Sequence, residues 1–193
     1  MNLIETSLDG VLIVEPKVFA DSRGYFFESY NQALFEKLGL HYSFVQDNQS
    51  KSAFGTIRGL HFQRGEFAQT KLVRVLQGKV LDIAVDLRMG SPTLGQYVAV
   101  ELSDENNRQL LIPRGFGHGF SVLSESAIFS YKCDNFYAPA SEGTVRFDDP
   151  DLAIDWRIDQ DKALLSDKDK NAPDFQTYCR TPAFRYTGKQ ENT

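Results

Sequence analysis

The sequence predicts an all-β domain made of two sheets, with a few short flanking helices. Three observations predict this class. Turn residues such as Gly65, Gly78 and Gly90 recur at short intervals, the segments between them are rich in β-branched and aromatic residues, and helical periodicity is sparse. The length of 193 residues suits one domain. We therefore expect a single domain over residues 1–193, with an irregular tail from about residue 174.

The strands are predicted from alternating side chains. In residues 80–87 every odd-numbered position is apolar, whereas the even-numbered positions include Asp82 and Asp86. Residues 97–102 and 128–133 read in a similar way, so we expect antiparallel sheets. Gly78 can adopt the positive φ that a tight hairpin turn requires. We therefore expect the strands on either side of Gly78 to pair with each other.

Helical signals are confined to two short segments. Asn31 can cap a helix over residues 32–38, which carries one apolar stripe, and Gly39 can supply its left-handed end. A second short helix is predicted near residues 161–165. Both would flank the sheets.

Composition excludes several classes of protein. The hydrophobic share of 41% and the charged share of 24% are typical of a soluble globular domain. A formal charge of -5 gives no general attraction for nucleic acid, so an anionic ligand must meet a local cluster of Arg and Lys. No apolar run approaches the roughly 18 residues of a membrane span, and the first residues do not resemble a signal peptide. We expect no membrane partner and a cytoplasmic location.

Metal and nucleotide motifs are absent from the sequence. Cys133 and Cys179 are not closely spaced, and the three histidines include no His-x-His pair, so we expect no metal centre. No phosphate-binding loop and no GxGxxG motif follows a strand, which argues against a Rossmann-type nucleotide site. Any cofactor-dependent chemistry therefore has little support.

Three polar residues on predicted strands form the first candidate site. His61, Lys71 and Tyr131 supply a base, a cation and an acid. Such a set suits removal of a proton beside a carbonyl group and its return elsewhere. Lys71 shares its strand face with two valines, so we expect it to be half-buried, and Asp82 joins the set on the same grounds of alternation.

Each of these residues also has a structural interpretation. A histidine in a strand is more often a structural or solvated residue than a base, and a strand tyrosine usually buries its ring. Lys71 could extend its ammonium to solvent from a sheet edge, and Asp82 could bind a turn amide or an arginine. A catalytic role is favoured only because all of these polar residues fall on strands predicted to be neighbours.

Two further segments carry candidate residues. Residues 113–120 are rich in glycine, which predicts either tight turns that bring His118 to the rim of a site or a corner between two sheets. Residues 21–28 combine Arg23, Glu28 and three aromatic residues, a mixture suited to binding phosphate and stacking on a base. An exposed edge strand is the alternative for that segment.

Seven motifs, in one order along the chain, resemble those of the dTDP-4-dehydrorhamnose 3,5-epimerase family. They are DSRG at 21–24, FVQDN at 44–48, RGLHFQ at 58–63, KLVRV at 71–75, SPTLG at 91–95, IPRGFGHGF at 112–120 and LSDKD at 165–169. The resemblance covers about residues 4–173. It implies a cupin-like jelly roll, a homodimer, and a dTDP-linked 4-keto-6-deoxyhexose substrate. It also implies no metal or redox cofactor, and a place in rhamnose supply for cell-surface polysaccharide.

The resemblance also implies roles for individual residues. His61 matches the general base, Tyr131 the acid, Asp169 the carboxylate that orients the imidazole, and Lys71 the cation beside the ketone oxygen. Tyr137 matches the aromatic residue that stacks on thymine. The other positions that match nucleotide-sugar contacts are Arg23, Glu28, Gln46, Asp47, Asn48, Arg58, His118, Glu142 and Lys168, and Lys71 is counted among them. Asp82 is our own addition to the pocket, from strand alternation alone.

Three hypotheses of different kinds remain open at this point. The preferred one is a double epimerase that inverts C3 and C5 of the sugar. The second is a single-centre epimerase or ketoisomerase on a related dTDP-4-keto-6-deoxy sugar. The third is a non-catalytic sugar-binding jelly roll.

Overall fold

The computed structural model describes residues 1–188. Its strands, in chain order, are β1 (Asn2–Glu5), β2 (Leu12–Glu15), β3 (Phe19–Asp21), β4 (Gly24–Phe26), β5 (Gln46–Ala53), β6 (Ile57–Gln63), β7 (Lys71–Gln77), β8 (Lys79–Asp86), β9 (Arg88–Met89), β10 (Tyr97–Ser103), β11 (Gln109–Ile112), β12 (Phe116–Val122), β13 (Ser126–Cys133), β14 (Glu142–Thr144) and β15 (Phe184–Arg185). The α-helices in this range are α1 (Gln32–Lys37), α2 (Asp167–Lys170) and α3 (Phe175–Arg180). None of these helices is long and apolar enough to cross a membrane.

Two large antiparallel sheets dominate the described residues. The first sheet has the strand order β1-β2-β11-β7-β13-β5, and the second has the order β10-β8-β12-β6-β14. Several strands that follow each other in sequence, such as β7 and β8, belong to different sheets, as in a jelly roll. The smaller pairs are the antiparallel β3-β4 hairpin and the parallel β9-β15 pair. The prediction of an all-β, two-sheet fold is confirmed.

The main core lies between the two sheets. Val73 of β7 and Val80 of β8 both belong to it and are fully buried. Phe120 of β12 stacks on Phe129 of β13, with ring centroids 4.3 Å apart. Because these side chains come from both sheets, burial of their apolar surface holds the sheets together.

A second core covers the outer face of the second sheet. Leu81, Ile83 and Val85 of β8 pack there against Trp156 and Tyr178 from the C-terminal part of the chain. Both faces of β8 are therefore buried. Alternation along the strand separated its two faces correctly, but it gave no sign that a second layer of chain would cover the outer one.

The irregular tail expected from about residue 174 is a wrong prediction for residues 175–180, which form α3. The side chain of Asp174 caps this helix by accepting a hydrogen bond from Thr177 N. Tyr178 fastens it to the core, since its hydroxyl donates to Leu87 O at 2.6 Å. Burial of one side of a short helix outweighs its weak intrinsic propensity. The last part of the expected tail, residues 189–193, lies outside the described residues.

The hairpin predicted at Gly78 is also wrong. Gly78 has φ +82°, as its turn requires, but β7 and β8 on either side of it join different sheets. A Cβ on Gly78 would lie 2.1 Å from Ser126 O. The glycine therefore makes a tight corner between sheets, because turn chemistry sets a local bend but does not choose the strand partners.

Of the two predicted helices, one is confirmed. The side chain of Asn31 accepts from Leu34 N at the start of α1, and Gly39 has φ +80° just beyond its end. Residues 160–162 instead form a single 3₁₀ turn. The backbone N–H and C=O of Leu164 are hydrogen-bonded to Gly55 and Ile57. They are therefore not available for a helix that continues to residue 165.

Candidate active site

A cavity of about 260 Å³ opens into the space between the two sheets. Strands of both sheets contribute to its wall. The lining residues are Asn48, Gln49, Ser50, Arg58, His61, Lys71, His118, Gly119, Phe120, Phe129 and Tyr131. The polar residues thus stand against aromatic surface that continues into the main core, as in many small-molecule sites.

His61 of β6 is paired with Asp169 of α2. Its Nε2 lies 2.6 Å from Asp169 Oδ1, and the carboxylate is 2% exposed. The other carboxylate oxygen accepts from Ser166 Oγ at 2.7 Å, and Ser166 also caps α2. With Nε2–H donated to the carboxylate, Nδ1 is the unprotonated nitrogen of the neutral ring and can accept a proton.

The ionisation of Asp169 follows from its surroundings. Burial alone would raise the pKa of Asp169, but the hydrogen bonds from His61 and Ser166 outweigh burial and leave the pKa below its usual value. The carboxylate is therefore ionised at neutral pH. It can hold the ring orientation and stabilise the imidazolium that forms when His61 takes a proton.

Lys71 and Tyr131 extend inward from neighbouring strands of the first sheet. The Lys71 ammonium lies 5.8 Å from the centroid of the Tyr131 ring. Burial lowers the pKa of Lys71, against the opposing effect of Cys133, Asp82 and Glu142. Burial raises the pKa of Tyr131, so its phenol keeps its proton at neutral pH and is available as an acid. The half-buried position predicted for Lys71 is confirmed.

His118 lies beside His61 on the next strand, and the two residues are register partners. Its Nε2 is 3.1 Å from both carboxylate oxygens of Asp82, which is fully buried. The structure corrects the placement of Asp82: its carboxylate lies behind His118 and does not line the cavity. Alternation put Asp82 on the correct face, but the imidazole of His118 stands between it and the cavity.

The glycine-rich segment is mostly strand. Gly115 makes a turn with φ +97°, and residues 116–122 then form β12. The expectation that this segment brings His118 to a site is confirmed, but His118 reaches the cavity from within a strand and not from a turn or a corner. Gly119 has another reason to be glycine, because a Cβ there would lie 2.7 Å from Arg58 O. The two strands approach closely at the bulge between His118 and Phe120.

A second group of predicted residues adjoins the cavity near Tyr137. The Tyr137 hydroxyl donates to Glu142 Oε2 at 3.4 Å, and the Lys168 ammonium is hydrogen-bonded to the other oxygen of Glu142. Lys168 precedes Asp169 on α2, which connects this group to the His61 pair. Gln46 completes the group: its side chain accepts from Tyr137 N and donates to Asn48.

Three predicted site residues lie away from the cavity in this chain. Asp47 faces the outer side of the first sheet, where its carboxylate accepts from Lys132 Nζ at 2.9 Å. Arg23, whose side chain is 88% exposed, pairs with Asp21 on the β3-β4 hairpin. Glu28 is also exposed and accepts from Asn31. A motif match does not reveal which face of a strand a side chain takes, nor how far a hairpin lies from the site.

Sequence reasoning missed several residues that support the site. Ser50 and Phe129 line the cavity, and alternation from Asn48 and Tyr131 would have included them. Ser166 was not singled out, although a serine three residues before Asp169 matches a helix N-cap. Gln63 has no sequence signal beyond its motif. Within residues 1–188 no cluster of three or more potential metal ligands is found, and the absence of a metal centre stays a prediction.

The fold and the cavity together define a class. This is a two-sheet jelly roll with a histidine oriented by a carboxylate, a half-buried lysine and a protonated tyrosine around one cavity, an arrangement suited to acid–base chemistry on carbon. Comparisons with known proteins identify the family within that class. The family model described as dTDP-4-dehydrorhamnose 3,5-epimerase matches residues 5–177.

Individual relatives give the same result. The dTDP-4-dehydrorhamnose 3,5-epimerase of Salmonella typhimurium is 57% identical over 174 residues, which are 90% of this chain and 94% of the relative. The crystal structure of the Elizabethkingia anophelis enzyme of that name has a TM-score of 0.87 and 57% identity, and covers 92% of this chain and 97% of its own. The dTDP-6-deoxy-D-glucose-3,5-epimerase of Legionella pneumophila, solved with dTDP-4-keto-L-rhamnose, has a TM-score of 0.92 and 48% identity. The match covers 97% of this chain and 99% of the Legionella chain. The chain belongs to the dTDP-4-dehydrorhamnose 3,5-epimerase family.

Proposed function

We propose that this protein is an isomerase that inverts C3 and C5 of dTDP-4-dehydro-6-deoxy-glucose to give dTDP-4-dehydro-rhamnose. One observation carries the proposal: His61, oriented by Asp169, and Tyr131 line one cavity from opposite sheets, with Lys71 beside the tyrosine. A base and an acid on opposite walls can act on the two faces of one sugar ring, which inversion of a carbon centre requires.

The reaction follows from the chemistry of these groups. His61 Nδ1 removes the proton from a carbon next to the C4 ketone, and the electron pair of the broken C–H bond moves to the ketone oxygen as an enolate. The Lys71 ammonium stabilises that negative oxygen, which is usually the largest catalytic contribution in a dry site. Tyr131 then returns a proton to the opposite face of the carbon. His61 then releases its proton to solvent and Tyr131 takes one from solvent, and the same sequence at the second carbon completes the double inversion.

The group around Tyr137 is proposed to hold the nucleotide. Tyr137 offers an exposed ring on which thymine can stack, and Glu142 and Lys168 offer polar partners at its edge. The remaining proposed contacts to the nucleotide sugar are those of Gln46, Asn48, Arg58 and His118. Of these, Asn48, Arg58 and His118 line the cavity.

The β3-β4 hairpin supports a homodimer. Tyr25 and Phe26 are more than half exposed on it, a costly arrangement for an isolated chain. Arg23 and Glu28 lie on or just after the same hairpin, and neither lines the cavity that contains His61. In the proposed dimer a second copy covers the aromatic rings, and Arg23 and Glu28 complete the partner's site, while Asp47 contributes through its backbone.

Three broader expectations belong to the same proposal. The reaction needs no redox cofactor, because a proton is removed and returned with no net change of oxidation state, and it needs no metal, because the Lys71 ammonium supplies the positive charge for the enolate. The enzyme acts in the cytoplasm. Its product supplies rhamnose for cell-surface polysaccharide.

Hydrogen exchange tests the function directly. The protein is incubated with dTDP-4-keto-6-deoxyglucose in deuterated water, and NMR reads deuterium at each sugar carbon. We expect label at both C3 and C5. Label at one carbon would indicate a single-centre epimerase or ketoisomerase, and no label would indicate a sugar-binding protein.

The base has its own test in the same assay. His61→Ala should slow exchange by roughly 10²–10⁴-fold, the usual contribution of a positioned base. His41→Ala is the matched control, because His41 is exposed and lies outside the cavity, and its exchange rate should equal that of the wild type. Unaltered exchange in His61→Ala would remove His61 from its proposed role.

A further inference from the structure

The loop that carries Tyr137 is held in place by buried side chains. Tyr137 is 51% exposed and lies outside the strands, in the connection between β13 and β14. An exposed aromatic ring on such a connection would normally sample several positions and lose that freedom when a ligand binds. The hydrogen bonds described next restrict the backbone at this position before any ligand arrives.

The side chain of Gln63 makes three hydrogen bonds, two of which hold this loop. Its Nε2 donates to Phe136 O at 3.1 Å and to Phe67 O at 3.0 Å, while its Oε1 accepts from Ala138 N at 2.7 Å. The two partners in the loop are the residues immediately before and after Tyr137. Gln63 is 5% exposed, so its amide has little access to water and uses its hydrogen-bonding capacity on this loop and on Phe67.

Two other glutamines extend the same arrangement. Gln46 Oε1 accepts from Tyr137 N at 3.0 Å, and Gln69 Nε2 donates to Asn135 O at 2.9 Å. Backbone groups of four consecutive residues are therefore held by side chains from the strands and from the segment before β7. Gln63 is the buried member that brackets Tyr137 on both sides.

We propose that Gln63 is a positioning residue, which holds Tyr137 ready to stack on the thymine ring and so determines the affinity for the nucleotide. The inference rests on the proposed function, in which Tyr137 is the thymine platform. A preorganised platform binds more tightly because less conformational entropy is lost on binding. Proton transfer by His61 and Tyr131 does not pass through this loop, so the turnover number should change little.

The experiment uses Gln63→Met, which keeps the length of the side chain and removes its hydrogen bonds. Calorimetry measures the Kd of dTDP, and steady-state kinetics measure KM and kcat. We expect Kd and KM to rise about tenfold, in the range of one or two lost hydrogen bonds, with kcat within about twofold of the wild type. If kcat falls tenfold while Kd is unchanged, Gln63 acts on the chemistry and the proposal is wrong.

A double-mutant cycle separates positioning from general stability. In a Tyr137→Ala background the platform is absent, so adding Gln63→Met should weaken dTDP binding by less than about twofold further. An equal tenfold loss in that background would overturn the proposal. Ser121→Ala is the control: it removes a buried hydrogen bond to Trp156 O far from the loop, so it should lower stability without changing Kd.

A second variant and the behaviour of Tyr137→Ala keep this proposal distinct from the proposed function. If Gln63→Met fails to fold, Gln63→Asn retains a polar amide but is too short to reach both flanking residues, and the same Kd and cycle criteria apply. If wild-type protein binds dTDP and Tyr137→Ala binds it equally well, the proposed role of Tyr137 fails. A normal Tyr137 effect with no Gln63 effect contradicts this inference alone.

Discussion

At the scale of single residues, the protonation of each titratable group in the cavity depends on the charges of its neighbours. Lys71 is the cation at its centre. The titratable groups that act on its charge are Asp82 on β8, Cys133 on β13, Glu142 on β14 and Lys168 on α2, with Tyr131 and His118 beside it. Burial raises the pKa of Cys133 to about 11, so this thiol is neutral near pH 7. Burial raises the pKa of Asp82, whereas His118 and Lys71 oppose that rise, and the Asp82 carboxylate in turn raises the pKa of Lys71.

Asp82→Asn tests this balance through the pH dependence of kcat. In the proposed mechanism Lys71 stabilises the enolate only as an ammonium, so we expect activity to be lost as the pH rises through the pKa of Lys71, which burial has already lowered. Removing the Asp82 charge lowers that pKa further. We expect the alkaline limb of the kcat profile to move to lower pH.

Glu101→Gln controls for the loss of one negative charge near β8. Glu101 lies on the neighbouring strand β10, directly opposite Leu81, but its side chain is at the surface. Screening by water makes its effect on the buried Lys71 small, so the alkaline limb should stay in place. A limb that does not move in Asp82→Asn either would show that Asp82 does not sustain the Lys71 charge.

At the scale of elements, tight corners direct consecutive strands into different sheets, and helix caps fix where the helices begin. Gly78 makes the corner between β7 and β8, and its backbone approaches Ser126 at the start of β13. The corner places Lys71 at one end of β7 and Asp82 on β8 within the same interior. Caps work in the same way for the helices, since Ser166 begins α2 and so presents Asp169 to His61.

Gly78→Ala should destabilise the fold strongly. Both the positive φ of Gly78 and the predicted contact of a Cβ with Ser126 O oppose the substitution. We expect a loss of about 4 kcal/mol or more in the free energy of unfolding, measured by urea denaturation. Gly90→Ala is the matched control, because Gly90 has φ +87° but no atom near its Cβ position, and it should lose only about 1–2 kcal/mol. Equal losses in both variants would show that the corner has room for a side chain.

At the scale of the whole molecule, one chain does not bring together every residue that the family motifs identify. The wall of the cavity carries the proposed base, acid and cation, while Arg23 and Glu28 lie away from it, on or just after the exposed β3-β4 hairpin. The proposed homodimer resolves this separation. Each site would then contain residues of both chains, and activity would depend on assembly.

Mixing two inactive variants tests that dependence. An Arg23→Ala chain and a His61→Ala chain, refolded together, should form mixed dimers with one intact site in each. Random pairing should restore about a quarter of the wild-type sites. His61→Ala mixed with Tyr131→Phe is the control, because both residues belong to the same site and no intact site can form. Failure of the first mixture to recover activity, in a sample whose mass is that of a dimer, would contradict the shared site.

Much of the architecture was accessible from local pattern. Alternation separated the two faces of β8, Asn31 and Gly39 marked the ends of α1, and the motifs singled out His61, Lys71, Tyr131 and Asp169, which the structure brings together. These features depend on residues close together in the chain. Their physical causes, side-chain direction in a strand and backbone bonds at a helix end, act over a few residues.

The tertiary structure decided the rest. It assigned β7 and β8 to different sheets, put His118 between Asp82 and the cavity, turned Asp47 to the outer face and ordered α3 against Leu87. Each of these depends on contacts between residues far apart in sequence. A strand carries the same alternation whichever partner it pairs with, so the choice of partner is made by burial across the whole core.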